Sequence, residues 1–385
     1  MFARLPDVVR QALPNAGERV LVAMSGGVDS SVVAALAAAH GCETIGVTMR
    51  LSDSDAAPRR EGACCAGSDI ADARAVADRL GIPHYVLDYQ SAFRAEVMDA
   101  FADSYLAGRT PVPCISCNQT VKFRDLVQVA EDLGATRLLT GHYVRRVEGP
   151  DGPELHQGWD RAKDQSYFLF STTSRQLARL GFPLGGLDKA TTRALARHFG
   201  LRVARKPDSQ DICFVPGGDY RAVVRKLRPG ADRPGDIVDL DGRVRGRHSG
   251  ILGFTVGQRR GLEIGGLAEP LYVVRLESET NRVVVGPRAA LAVETVWLDA
   301  INWLGPPVPP EGLAVEAKLR SLAPLVPARL FAPDPAGRGS ARLVFPEPQF
   351  GVAPGQAAVC YAGSRLLGGG FMTRTAAPSA SSPAT

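Results

Sequence analysis

The chain has 385 residues, 45% of them hydrophobic and 22% charged, with a net charge of +5. That length supports two or three domains with cores of their own, and the composition excludes fibrous and disordered classes. The opening MFARLPDVVRQALP has no apolar h-region, and the apolar run 32–39 is too short to span a bilayer, so the expectation is a cytoplasmic protein that meets no membrane. Seven cysteines, an odd number in a long chain, do not read as a secreted disulfide framework.

In chain order, residues 19–24 (RVLVAM) read as a buried strand and 28–40 as a helix with Gly41 at its C-terminal cap. Residues 43–49 (ETIGVTM) form the next strand, 69–80 a helix stopped by Gly81, and 83–89 (PHYVLDY) a third strand. Helices follow at 93–106 and 121–133, then a strand at 136–140. Alternating strands and helices predict an α/β domain with a doubly wound parallel sheet, whose ligands bind at the C-terminal strand ends. The expected first domain is 1–205.

Beyond about residue 205 helical patterns are scarce. Short β-rich runs at 271–276, 282–285, 294–298, 313–319, 341–345 and 357–361 alternate with Gly and Pro, as in a small barrel or sandwich. The expected divisions are a basic central domain at 206–275, a C-terminal β-barrel at 276–375 and a disordered tail at 376–385. Residues 221–260 hold nine Arg and one Lys against four Asp, a net +6. Such a segment suits a polyanion such as RNA, and equally an ordinary solvated surface.

Ser25-Gly-Gly-Val-Asp-Ser-Ser31 lies between the first strand and its helix. Its glycines allow positive φ and close backbone approach, and the N–H groups at the helix start attract an anion. Ser25, Ser30 and Ser31 add hydroxyl donors. Asp29 is unexpected in an anion site, and makes sense as a brace for the loop or as a contributor to Mg²⁺ binding. The Walker signature G-K-[ST] is missing. The stretch resembles the S-G-G-x-D-S loop of PP-loop ATP pyrophosphatases, which cleave ATP between the α- and β-phosphates and adenylate their substrates.

Cys114 and Cys117 form a C-x-x-C in TPVPCISCN, between two helical stretches, and Cys213 lies 96 residues further on in DSQDICF. A C-x-x-C alone fits a redox pair, half a metal site, or a catalytic thiol with a neighbour. Cys64 and Cys65 read as structural or incidental. Sulfur transfer needs one thiol to carry a persulfide and another to release it, which suits Cys117 with Cys213.

The stretches R109-TPVPCISCNQTVK-F123, T140-GH-Y143, K163-DQSY-F168, D208-SQDIC-F214 and G257-QRRG-L262, in this order, resemble the bacterial tRNA 2-thiouridylases, the MnmA family. The resemblance runs roughly over residues 19–370. It implies ATP-dependent replacement of the 2-oxygen of the wobble uridine by sulfur in tRNAs for Lys, Glu and Gln. It further implies a persulfide on Cys213, Cys117 as the nucleophile, a disulfide between the two reopened by reductant, and an upstream persulfide carrier protein.

By the same resemblance ATP contacts fall on Ala23, Met24, Ser25, Gly26, Gly27, Val28, Asp29 and Ser30, with Met49 and Gly141. Contacts to tRNA fall on Val112, Pro113, Cys114, His142, Lys163, Asp164, Gln165, Arg320, Ser321 and Gln356. Met49 ends a strand, where it can pack on adenine or sit in a core, and Gly141 leaves room for a nucleotide. Several family members have Asp where this chain has Cys114. Cys114, Cys117 and Cys213 therefore make a second mechanism conceivable, in which they hold a [4Fe–4S] cluster whose free iron binds sulfide. Other readings are a different PP-loop amidase or ligase, and a zinc-holding RNA-binding protein.

Overall fold

The computed structural model describes residues 7–51, 67–208, 212–265, 269–333 and 340–378. Cys64, Cys65, the DSQDICF residues 209–211 and most of the C-terminal tail lie outside the described residues.

The first elements are α1 (Asp7–Gln11), β1 (Arg19–Ala23), α2 (Val28–Ala39), β2 (Glu43–Arg50), α3 (Gly67–Leu80), β3 (His84–Asp88), α4 (Gln90–Phe93) and α5 (Ala100–Leu106). Next come α6 (Pro113–Ser116), α7 (Asp125–Asp132), β4 (Arg137–Leu139), β5 (Val144–Gly149), β6 (Gly152–Gln157), α8 (Ser174–Arg179), β7 (Leu180–Gly181), α9 (Lys189–His198) and α10 (Tyr220–Leu227). The remaining strands are β8 (Gly235–Val238), β9 (Val244–His248), β10 (Tyr272–Glu277), β11 (Arg282–Gly286) and β12 (Val293–Trp303). They continue as β13 (Leu313–Lys318), β14 (Val326–Phe331), β15 (Ala341–Gln349), β16 (Ala357–Ala362) and β17 (Arg365–Ala376).

The chain divides into two compact units. The first, 1–97 with 114–218 and 364–366, holds a five-stranded parallel sheet ordered β3-β2-β1-β4-β7. Val20, Leu21 and Val22 of β1 are fully buried, as a continuous apolar run requires when both sheet faces are covered. Successive strands step one way from β1 to β3 and the other way to β4 and β7. The ends of β1 and β4 therefore diverge at a topological switch point, where open α/β sheets take ligands. Helix α2 is buried along almost its whole length and stops at Gly41, whose φ of +89° admits no ordinary side chain without strain. A hairpin, β5 with β6, pairs with Arg365 and Leu366.

The second unit, 98–113 with 219–363 and 367–385, has two β assemblies. One is a four-stranded sheet, β10-β11-β8-β9, over a core that includes Ile237, Phe254, Val273 and Val283. The other is a six-stranded barrel in the order β12-β15-β14-β13-β16-β17, closed by antiparallel pairing of β12 with β17. Closure removes exposed strand edges. The expected parallel domain, small central domain and terminal barrel are all present.

Two expectations need correction. The C-x-x-C is helical: α6 begins at Pro113, where proline's missing N–H costs nothing, and a wide-turn π-type segment, Cys117–Arg124, leads into α7. The helix expected from residue 93 starts at Gln90 and widens in the same way over Arg94–Asp99. Beyond residue 205, where helical patterns are scarce, Asp219 caps α10 by accepting from the Ala222 N–H at 3.1 Å.

Candidate functional site

At the C-terminal end of β1 the chain turns through Met24–Gly27 into α2. Gly26 has φ +70°, and a Cβ there would lie 2.1 Å from the Asp69 carbonyl oxygen, so only glycine fits. Gly27 is extended and gives α2 no side-chain cap, which leaves the helix start suited to an anion. The serines hold the turn itself. The Ser25 N–H donates to Ser30 Oγ at 3.1 Å, and the Ser30 and Ser31 hydroxyls donate to the Gly27 carbonyl at 3.3 and 2.8 Å.

Gly141, just beyond β4, has a packing reason to be glycine. A Cβ there would sit 2.9 Å from the Ser30 backbone nitrogen, so the glycine lets the β4 end approach the start of α2. Met24 and Met49 are both buried, Val28 and Ser30 likewise, and Ala23 is half-buried. Met49 thus has the surroundings of a core side chain.

Sequence reasoning missed the cation network around this loop. Lys189 Nζ donates to both Asp29 oxygens, at 2.8 and 2.7 Å, and forms an ion pair with Asp208 Oδ1 at 2.9 Å. Asp208 also receives Arg193 Nη2 at 2.7 Å and Lys163 Nζ at 2.8 Å. Burial works to raise the Asp208 pKa, but the bonds from Lys163 and Lys189 outweigh it and bring the carboxyl to about 2. Tyr143 donates to Asp29 Oδ1 at 2.9 Å, and burial, then the Asp29 charge, pushes its phenol pKa up.

Lys206 makes a second brace. Its ammonium donates to the Gly26 carbonyl at 3.0 Å and to Asp69 and Asp72 at 2.6 Å each. Burial opposes its charge, but the two carboxylates more than compensate and raise its pKa. Of the two roles open to Asp29, the structure shows the brace. A cap signal, Asp188 before α9, was available for the Lys189 helix, but its partner Asp29 is 160 residues away.

The Lys163-Asp164-Gln165 triplet is tied into the protein. Asp164 Oδ1 accepts from the Gly158 N–H at 3.0 Å and Oδ2 from Ser166 Oγ at 2.8 Å. Gln165 Oε1 accepts from the Tyr143 N–H at 2.9 Å. His142 Nδ1 lies 2.8 Å from Thr140 Oγ1, with its ring edge-to-face against Phe123 and Phe182. Burial, then the Lys122 charge, lowers its pKa to about 3, so the imidazole is neutral at pH 7.

Cys117 is buried, while Cys114 and Cys213 are half-buried. Asn118 ties the cysteine helix to the 163–168 stretch by donating to the Phe168 carbonyl at 3.3 Å. Cys213 lies in a turn closed by the Val215 N–H to the Ile212 carbonyl at 2.9 Å. Its neighbour Phe214 meets Phe93 edge-to-face at 5.6 Å. Among the described residues no group of three or more His, Cys, Asp or Glu is placed to hold a metal ion, so Cys114, Cys117 and Cys213 do not form a ligand set here.

In the second unit, Gln356 Nε2 donates to the Thr110 carbonyl at 3.2 Å, two residues before Val112 and Pro113. Arg320 and Ser321 follow β13, with Arg320 exposed and Leu322 beside them almost fully exposed. In the basic segment, Arg225, Arg243, Arg245 and Arg247 pair with Asp232, Asp241, Asp239 and Asp236. Arg228 is held by Asp99 and Asp103. That leaves Arg221, Lys226, Arg233, Arg259 and Arg260 without a carboxylate partner among the described residues. No described helix is long and apolar enough to cross a membrane.

Three family models match in succession. One described as a tRNA methyl transferase HUP domain covers residues 18–217, a tRNA methyl transferase PRC-barrel domain covers 226–287, and an aminomethyltransferase beta-barrel domain covers 293–372. A tRNA-specific 2-thiouridylase MnmA from Rhizorhabdus wittichii is 63% identical over 94% of this chain and 93% of its own length. The protein belongs to the tRNA-specific 2-thiouridylase family. A second 2-thiouridylase, from Paracoccus denitrificans, is 60% identical over 94% of this chain and 92% of its own. Among solved structures, a 4-thiouridine synthetase–RNA complex with bound ATP matches at 18% identity over 55% of this chain and 49% of that one, with a TM-score of 0.36, too slight a likeness to argue from.

Proposed function

We propose that this chain is an ATP-dependent tRNA sulfurtransferase that converts the wobble uridine, position 34, of tRNAs for Lys, Glu and Gln to 2-thiouridine. The observation that carries the proposal is full-length identity of 60% or more to proteins named 2-thiouridylases, in a chain that keeps both cysteines and a braced phosphate-type loop.

The loop Ala23–Ser30 receives the phosphates at the start of α2, where helix N–H groups favour negative charge. The uridine 2-oxygen attacks the α-phosphorus and pyrophosphate leaves, so a poor leaving group becomes AMP. The terminal sulfur of a Cys213 persulfide then attacks C2 and AMP departs. Cys117 thiolate attacks the Cys213 sulfur, which releases 2-thiouridine and leaves a Cys117–Cys213 disulfide. A two-electron thiol reductant restores both thiols, as a cytoplasmic setting allows, and a persulfide-bearing carrier protein recharges Cys213.

Mg²⁺ travels on the nucleotide phosphates in this reading, because Asp29 already serves Lys189 and Tyr143. The tRNA side is assigned to Val112, Pro113, Cys114, His142, Lys163, Asp164, Gln165, Arg320, Ser321 and Gln356. His142 serves as a neutral hydrogen-bonding group there. The target uridine leaves its stack to react.

The test is mass spectrometry of digested tRNA. A deletion strain should hold 2-oxo uridine at the wobble position, and purified protein with ATP, Mg²⁺ and a sulfur donor should restore the thio form. Unchanged thiolation in the deletion ends the proposal. Cys117→Ser and Cys213→Ser should each abolish thiolation while ATP binding persists, and full activity in either removes that cysteine from the mechanism. The [4Fe–4S] route is tested by anaerobic iron and sulfide analysis, since iron-free protein at full turnover supports the persulfide route.

A further inference from the structure

The turn after β6 is rigid and presents a bare indole. Gly158 sits so close to Tyr143 that a Cβ would lie 2.6 Å from its carbonyl oxygen. The Gly158 and Ser166 N–H groups both donate to Asp164, and the Ala162 N–H donates to Asp160 Oδ1. The Trp159 N–H donates to the Gly185 carbonyl at 2.9 Å. On this fixed backbone Trp159 is 68% exposed. The chain has three tryptophans. Trp297 lies under the Arg374 guanidinium, and Trp303 donates to the Pro306 carbonyl at 2.7 Å. The Trp159 ring has no such partner among the described residues.

Two arginines of this region share one uncharged residue, and a Cβ on Gly185, which accepts from the Trp159 N–H, would lie 3.0 Å from Arg145 Cγ. Arg145 Nε donates to the Gln157 carbonyl at 3.0 Å, and Arg161 donates to Gln157 Oε1. A further weak bond runs from Arg145 Nη2 to Ser364 Oγ at 3.4 Å. Neither guanidinium forms an ion pair among the described residues. Both bond the same Gln157, so two like charges share one neutral residue, and burial, then the Arg161 charge, lowers the Arg145 pKa. Nearby cations of the same unit behave otherwise: Lys163, Lys189, Arg193 and Lys206 all sit on carboxylates.

An exposed indole, with two guanidiniums of the same region that form no ion pair among the described residues, matches a nucleotide in unstacked RNA, with its base on the ring and its phosphate on the arginines. We propose that Trp159, Arg145 and Arg161 form an RNA subsite that binds a tRNA nucleotide other than the one modified. The proposal rests on the tRNA reading above and deepens it.

The test uses full-length protein and a labelled, unmodified tRNA transcript, with binding read by anisotropy and thiolation read in parallel. Trp159→Ala should weaken tRNA binding about tenfold and raise the tRNA KM to match, with kcat and the ATP KM unchanged. Trp159→Phe, which keeps an aromatic face, should stay within about threefold of wild type. The double variant Arg145→Gln/Arg161→Gln should lower the slope of log affinity against log salt by about one, as for one lost phosphate contact. If Trp159→Ala does not fold, the arginine variant carries the test. Wild-type affinity and salt slope in the variants overturn the subsite, as does a raised ATP KM with unchanged tRNA binding. Wild-type protein that binds tRNA without thiolating it refutes the proposed activity but still tests the subsite, whereas wild-type protein that does not bind tRNA ends both.

Discussion

Around Asp208, one carboxylate receives Lys163, Lys189 and Arg193. Around Gln157, two arginines bond only neutral oxygens among the described residues. Both groups belong to the same unit and both look alike in sequence, as scattered basic residues. The difference lies in pairing. Cations on a carboxylate fix the protein's own geometry, whereas cations left on neutral acceptors keep their field for an outside anion. A count of Arg and Lys cannot separate the two.

The contrast is broken most strongly at Asp208. Asp208→Asn removes the hub from three cations and should cost about 3 kcal/mol in urea unfolding. The effect should depend on pH. The folded carboxyl is held at about 2, below its ordinary value in an unfolded chain. Its stabilisation is therefore complete above about pH 4 and is lost as pH falls towards the folded value. The wild-type acid limb should be steeper than that of Asp208→Asn, and identical limbs would show that the hub does not stabilise the fold.

Lys189→Met should cost less, about 2 kcal/mol, because Asp208 keeps Lys163 and Arg193 while Asp29 keeps Tyr143. It should also weaken ATP binding in a filter or calorimetric assay, since Asp29 then loses its main brace. Arg145→Gln is the smallest case. It removes one of two repelling charges, so stability should stay within about 0.5 kcal/mol of wild type. A loss as large as that of Lys189→Met would mean that Arg145 is a structural cation after all.

The parts of the fold that were legible are those whose cause is local. Residues 19–24 and 28–40 announce a buried strand and helix because their apolar runs are continuous, and the loop between them carries its own glycines. The hairpin of β5 and β6 was not legible, since VRRVEG and GPELHQ mix charge, glycine and proline with few apolar residues. Pro113 between two helical stretches suggests a connection, although proline is equally at home in the first turn of a helix. Cys114 and Cys117 sit in helical turns and not in the connection expected. At the site, the motif residues could be named, but not what they touch. Lys163, Asp164 and Gln165 all engage the protein itself, and Gly141 accommodates the start of α2.

The braces on the SGGVDS loop have a consequence in time. A ribosome has made the whole loop by residue 31, but Lys189, Lys206 and Asp208 come some 160–180 residues later. At roughly 5–20 residues per second that gap lasts about 8–36 seconds. During that interval the nascent loop has its glycines and serines but none of its cationic clamps. An N-terminal fragment ending before α9 would carry the full signature and still lack the folded site.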